Sequence, residues 1–148
     1  MNNRIGFIFL LALIGVKCSH HDEIILENVS DLPENFSGNY HFGRDIKSIE
    51  ELKEFILVTG KIDTTSESPP LRLAVIVVDH TKVFLNLDKA QVNNDETTER
   101  YSGNGYDLVL IYKEKNILHH SPIYEGYFVI QHNNSKSQYE VVGTSGNY

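Results

Sequence analysis

The side chains able to do chemistry are few. The chain of 148 residues has one cysteine, Cys18, with seven histidines and no tryptophan. His119 and His120 stand together within Asn116 to Pro122, where a loop would bring both imidazoles to one metal ion. On a strand they would point to opposite faces, and no third ligand with metal spacing lies near. Asp95, Glu96 and Glu99 offer the oxygen ligands a hard cation takes, but without EF-hand spacing. Ser-Gly-Asn-Tyr occurs at Ser37 to Tyr40 and Ser145 to Tyr148, with Ser102-Gly103-Asn104-Gly105-Tyr106 as a variant. These are turn residues flanking aromatic-bearing strands. The sharper reading gathers Tyr40, Tyr101, Tyr106 and Tyr148 at one rim, where phenols bring contact area and hydroxyls to a glycan or peptide. There is no nucleophile elbow, HExxH, phosphate-cradling glycine loop or Cys-His arrangement, so no catalytic residue and no cofactor follows from motifs.

Cys18 has a special position. It ends a segment in which Ile5 to Val16 is apolar or glycine, flanked by Arg4 and Lys17. At about 1.5 Å per residue this run spans roughly 18 Å, short of a bilayer's roughly 30 Å hydrocarbon core but normal for an export signal. With the polar, acid-containing Cys18-Ser19-His20-His21-Asp22-Glu23 that follows, the segment resembles the lipoprotein signal of Bacteroidota. The resemblance covers residues 1–23 only. It implies that Cys18 becomes a lipidated N-terminus and that the protein sits at the cell envelope, on the outer membrane or cell surface. Ordinary signal peptidase cleavage after Cys18, with secretion, is the alternative, since Val16 and Cys18 are small enough for the positions before a cut. Either way the mature domain has no thiol and no disulfide, and must be held by its core alone.

The chain carries 13 basic and 20 acidic residues; without Arg4 and Lys17 the balance is 11 against 20, or about −9. No Lys/Arg cluster is present, which argues against a nucleic-acid partner and against a basic membrane-binding face. Membrane attachment therefore falls to lipid on Cys18, and any further partner is a protein or a glycan. Asp63-Thr64-Thr65 resembles the O-glycosylation motif of Bacteroidota and marks Thr64. Asn28, Asn35 and Asn133 head N-glycosylation sequons, which matter in a secreted eukaryotic glycoprotein.

The elements that must position these residues form one β-rich domain over residues 36–148, after a signal peptide over 1–17 and a tether over 18–35 whose Ile24-Ile25-Leu26 run suits an edge strand. Ser48-Ile49-Glu50-Glu51 has the form of a capping box, and Ile49, Leu52, Phe55 and Ile56 recur at helical spacing towards Gly60, which predicts a helix of about three turns. Leu71 to Val78 is a strand buried on both faces, turning at Asp79-His80 into Val83 to Leu87. Val92 to Asn104 reads as a polar loop, and three strands follow, with Gly126 marking a bulge or close backbone contact. The expected fold class is α+β, an antiparallel sheet of five to six strands with one main helix, as in cystatin-like rolls. A small β-barrel with a helix plug is the alternative. The expected role is non-catalytic binding, with a small roll-fold hydrolase or isomerase as the runner-up.

Overall fold

In a computed structural model the chain is described over residues 23–51, 53–63, 69–118 and 120–146. The export segment with Cys18, and also Thr64, His119 and Tyr148, lie outside the described residues. What is described is antiparallel β-structure with a single short helix. After β1 (Leu26–Glu27) and β2 (Phe36–Gly43) comes α1 (Ile46–Glu50). β3 (Phe55–Ile62), β4 (Leu71–Val78), β5 (Thr81–Asn93) and β6 (Glu96–Gly103) follow, then β7 (Tyr106–Leu118), β8 (Ser121–His132) and β9 (Ser135–Ser145).

From β2 to β9 each strand pairs with the next, and β9 pairs back with β2. The eight strands therefore close into an up-and-down barrel, the arrangement of the barrel alternative rather than the open roll. Four connections between β4 and β9 are described two-residue turns, at 79–80, 94–95, 104–105 and 133–134. Asp79 and His80 have φ of 48° and 60°, and Asn104 and Gly105 have 53° and 80°, so these two turns have both central residues in the left-handed region, and their twist matches the right-handed twist of the flanking strands.

Closure explains the polar stretch from Val92 to Asn104. It is the end of β5, a turn at Asn94-Asp95 and all of β6, not a loop. Thr, Glu and Arg are tolerated there because β5 and β6 run past the barrel as an exposed hairpin, with Val92 68% exposed. The expected loop from Asn116 to Pro122 is likewise strand on both sides of a two-residue turn, and Ile117 on it is 67% exposed.

The expected three-turn helix is also corrected. Asp45, not Ser48, is the N-cap, its Oδ1 accepting from the Ser48 amide at 2.9 Å, and this hydrogen bond holds the Asp45 carboxyl below its usual range. Glu54 at φ 59° then turns the chain, and Phe55 to Ile62 becomes β3. Leu57 and Thr59 face into the barrel opposite Phe42 and Tyr40, while Phe55 and Val58 join an outer apolar cluster. Burial on both faces removes the period-two signal and leaves apolar spacing that imitates a helix.

Inside, the core is built from inward residues facing one another across the strands: Phe42 opposite Leu57, Ala74 opposite Leu85, and Leu108 between Tyr101 and Ile130. One end is shut by the N-terminal segment. Ile24 donates its amide to Ser137 Oγ at 2.8 Å and accepts from the Tyr139 hydroxyl, and Leu26 accepts at its carbonyl from Arg44 Nη2 at 2.9 Å. Leu26 then pairs with Val78 as the edge strand its sequence suggests. The helix does not plug the barrel. Ile49 packs on the outside with Phe55, Val58 and Ile123, under Val29 and Leu32. Among the described residues no helix is long and apolar enough to cross a membrane.

Gly126 is a close-contact glycine: a Cβ there would stand 2.0 Å from the Ile111 carbonyl oxygen. Gly126→Ala is therefore expected to cost about 1–3 kcal/mol, read as a lowered urea midpoint; an unchanged midpoint would contradict this packing. His41 lies in the outer layer, 5% exposed with its ring 5.0 Å from that of Phe55, and burial lowers its pKa from 6.5 to about 4. The unfolded chain thus takes up a proton near pH 6.5 that the fold refuses until about pH 4. Stability is expected to fall as pH drops through this window, by up to about 3 kcal/mol, and the slope should flatten in His41→Leu.

Candidate functional site

At the barrel end opposite Ile24 no described residue fills the interior. There the inner wall turns from aliphatic to polar, because the register carries Arg72, Glu99 and Thr97 onto the inward face beyond Ala74 and Tyr101. Glu99 is the central group. Its side chain is only 3% exposed, its Oε1 accepts from Arg72 Nη2 at 3.0 Å, and its Oε2 accepts from the Tyr101 hydroxyl at 2.7 Å. A carboxylate in such a place is tolerable because both oxygens are met by donors, one of them charged. Arg72 differs: 46% of its side chain is exposed, and it reaches the mouth with donors to spare.

Tyrosines make the opposite wall. The rings of Tyr40, Tyr112 and Tyr124 lie 5.1 to 5.6 Å apart centre to centre. Two of the contacts are edge-on, a favourable arrangement of aromatic quadrupoles. Burial, then the Glu99 carboxylate and Tyr40, push the Tyr112 phenol well above its ordinary range. Burial and Glu99 do the same to Tyr101. Gly38, Ser145 and Gly146 complete the rim on the β2–β9 side, and Ala90 and Val92 complete it on the projecting hairpin. The space is a wide, open-mouthed hollow of about 560 Å³, within the roughly 300–1,000 Å³ usual for small-molecule sites.

The structure sorts the residues singled out from sequence. Tyr40 lines the mouth, and Tyr101 lies directly beneath it, 2% exposed, holding Glu99 rather than offering itself to a ligand. Tyr106 is at the closed end, stacked on His132 with ring centres 4.1 Å apart, so the tyrosines do not share one rim. His120 is an exposed turn residue at φ 70°. Asp95 and Glu96 stay exposed at the hairpin tip while Glu99 turns inward, which separates the three carboxylates. Among the described residues no three His, Cys, Asp or Glu side chains gather to hold a metal. The sequon residues Asn28, Asn35 and Asn133 are all exposed.

Arg72, Thr97, Tyr112 and Tyr124 were not singled out from sequence as site residues. Their signal was parity: Arg72 stands two residues before Ala74, and Glu99 two before Tyr101, so each shares a face with a buried neighbour once its strand is recognised.

Two other hollows lie outside the barrel interior. One, of about 380 Å³, is a groove on the outer wall between Lys113, Glu125, Tyr127 and Glu140. The other, of about 410 Å³, lies beneath the chain from Val29 to Glu34, beside His41 and Phe55. Comparison of the chain with protein-family models, with curated proteins and with solved structures finds no match.

The geometry makes Tyr101 a structural support of the site. Tyr101→Phe removes one donor from a buried carboxylate and is expected to cost about 1.5–3 kcal/mol, measured by urea unfolding followed by far-ultraviolet circular dichroism. A loss below about 0.5 kcal/mol would contradict the role given to this hydroxyl.

Proposed function

We propose that this protein is an exported, lipid-anchored component of the cell envelope whose barrel binds a small ligand at its open end without chemical change. The observation that carries the binding reading is the polar floor of the mouth, where buried Glu99 holds half-exposed Arg72 at the base of a tyrosine-lined cavity. Fixed donors and acceptors inside an otherwise apolar barrel have a steep desolvation cost. They repay it when they orient a ligand. Small eight-stranded barrels have interiors that either fill with side chains or hold one small ligand; this analogy of architecture supports the reading and does not carry it.

Binding is favoured over catalysis because the groups present are poor at moving protons. Both oxygens of Glu99 are engaged, and the Tyr101 and Tyr112 phenols are held protonated well beyond neutral pH. The export and anchoring part of the proposal rests on the Arg4 to Cys18 segment and the acidic leader after it.

Two experiments test the two halves. Metabolic palmitate labelling is expected to mark wild type and to vanish in Cys18→Ala; equal labelling of both would end the lipid-anchor reading. Native mass spectrometry of the protein released from its own envelope is expected to show a retained small molecule. That molecule should be absent from Arg72→Ala, and a bare chain in every preparation would count against a ligand site.

A further inference from the structure

We infer that the ligand of the open end is an uncharged, hydroxyl-bearing ring compound of the saccharide class. The inference rests on the binding reading of this mouth and adds the chemistry of what enters it.

Charge decides first. Among the described residues that line the mouth, Arg72 and Glu99 carry charge and stand 3.0 Å apart as a pair, and Glu114, opposite Tyr124, adds a further negative charge beside the tyrosines. An anionic ligand would have to share Arg72 with a carboxylate that is buried and cannot move away. A cationic ligand would meet Arg72 in front of Glu99. The net negative charge of the whole chain, −7, adds a long-range penalty for anions. An uncharged ligand meets none of these costs.

Polarity decides next. Arg72 keeps N–H donors beyond the one given to Glu99, and the hydroxyls of Tyr40, Thr97 and Ser145 stand around the same opening. Tyr40 and Ser145 already bond within the tyrosine cluster, but a hydrocarbon placed there would strip water from the remaining Arg72 donors and Thr97 and return no hydrogen bond, at roughly 1–3 kcal/mol for each group left unsatisfied. A sugar offers paired donors and acceptors along its edge and apolar C–H faces above and below. Those faces suit Tyr40, which is only half-buried and sits against Tyr112 and Tyr124.

The test is two-dimensional NMR of the folded domain, titrated with maltose, cellobiose and N,N′-diacetylchitobiose, and separately with glucuronate, octanoate and spermidine. Immobilised neutral polysaccharide distinguishes a chain end from a free sugar as the source. The expected result is that at least one neutral saccharide shifts the amides of Tyr40, Thr97 and Tyr112 and the Arg72 side-chain signal. Its affinity should change little up to about 0.5 M salt, since no charge pair is formed. Tyr40→Phe and Thr97→Val, which preserve shape, should each weaken it several-fold, while Tyr106→Phe at the closed end should leave it unchanged. Binding of glucuronate, octanoate or spermidine in preference to every neutral sugar would overturn the saccharide assignment and leave the mouth a ligand site. A flat response to all six probes and to the polysaccharide would overturn the assignment too, and the retained-molecule experiment then decides separately whether the mouth binds anything.

Discussion

Closure of the sheet is the constraint on which everything else depends. Residues Tyr40 to Gly43 of β2 pair with Val142 to Ser145 of β9, joining parts of the chain about a hundred positions apart. Gly143 lies opposite Phe42, and a Cβ there would stand 2.4 Å from the Phe42 ring. The missing side chain on one strand is the room that lets the other send a phenyl ring, fully buried, into the barrel. Without this seam β2 and β9 would each present an unpaired edge, and the inward faces of all eight strands would lose their shared interior.

The same closure creates the polar site. A closed interior has an apolar middle and two ends, and the ends are treated differently. At one, Ile24 and Leu26 are drawn in and their backbone groups are satisfied by Ser137, Tyr139 and Arg44. At the other, the described residues present a charged pair and several phenols. Arg72 above the carboxylate is reachable from solvent, while the carboxylate and Tyr101 are not. That gradation, from exposed guanidinium to sealed phenol, separates a group free to meet a ligand from those that hold it in position.

Much of the antiparallel architecture was legible in the sequence, and what was missed has physical causes. Leu71 to Val78 read as a buried strand because it is β-branched and continuous, and from Leu73 onward it is. The alternation of Tyr106, Leu108, Leu110 and Tyr112 placed Leu108, Leu110 and Tyr112 in the core as expected, with Tyr106 packed against it. The prediction failed where burial on both faces erased alternation, at Phe55 to Ile62, and where strands leave the core and become polar, at Val92 to Gly103. Missing those two strands hid the count needed for a barrel. The site suffered for the same reason. Tyr40 could be chosen on residue type, but Arg72 and Glu99 are separated by 27 positions, and nothing short of the register brings them together.

One feature of the closed end bears on how the molecule is presented. The described chain begins at Glu23 and enters the barrel at Ile24, held there by backbone hydrogen bonds rather than by a loose linker. Glu23, the first described residue, therefore lies at the end opposite the mouth. A surface gripping the molecule through its N-terminus would hold it like a cup by its base, with the rim of Tyr40, Arg72 and the projecting β5–β6 hairpin turned outward. At no more than about 3.6 Å per residue, an attachment at Cys18 would keep Glu23 within about 18 Å of its support.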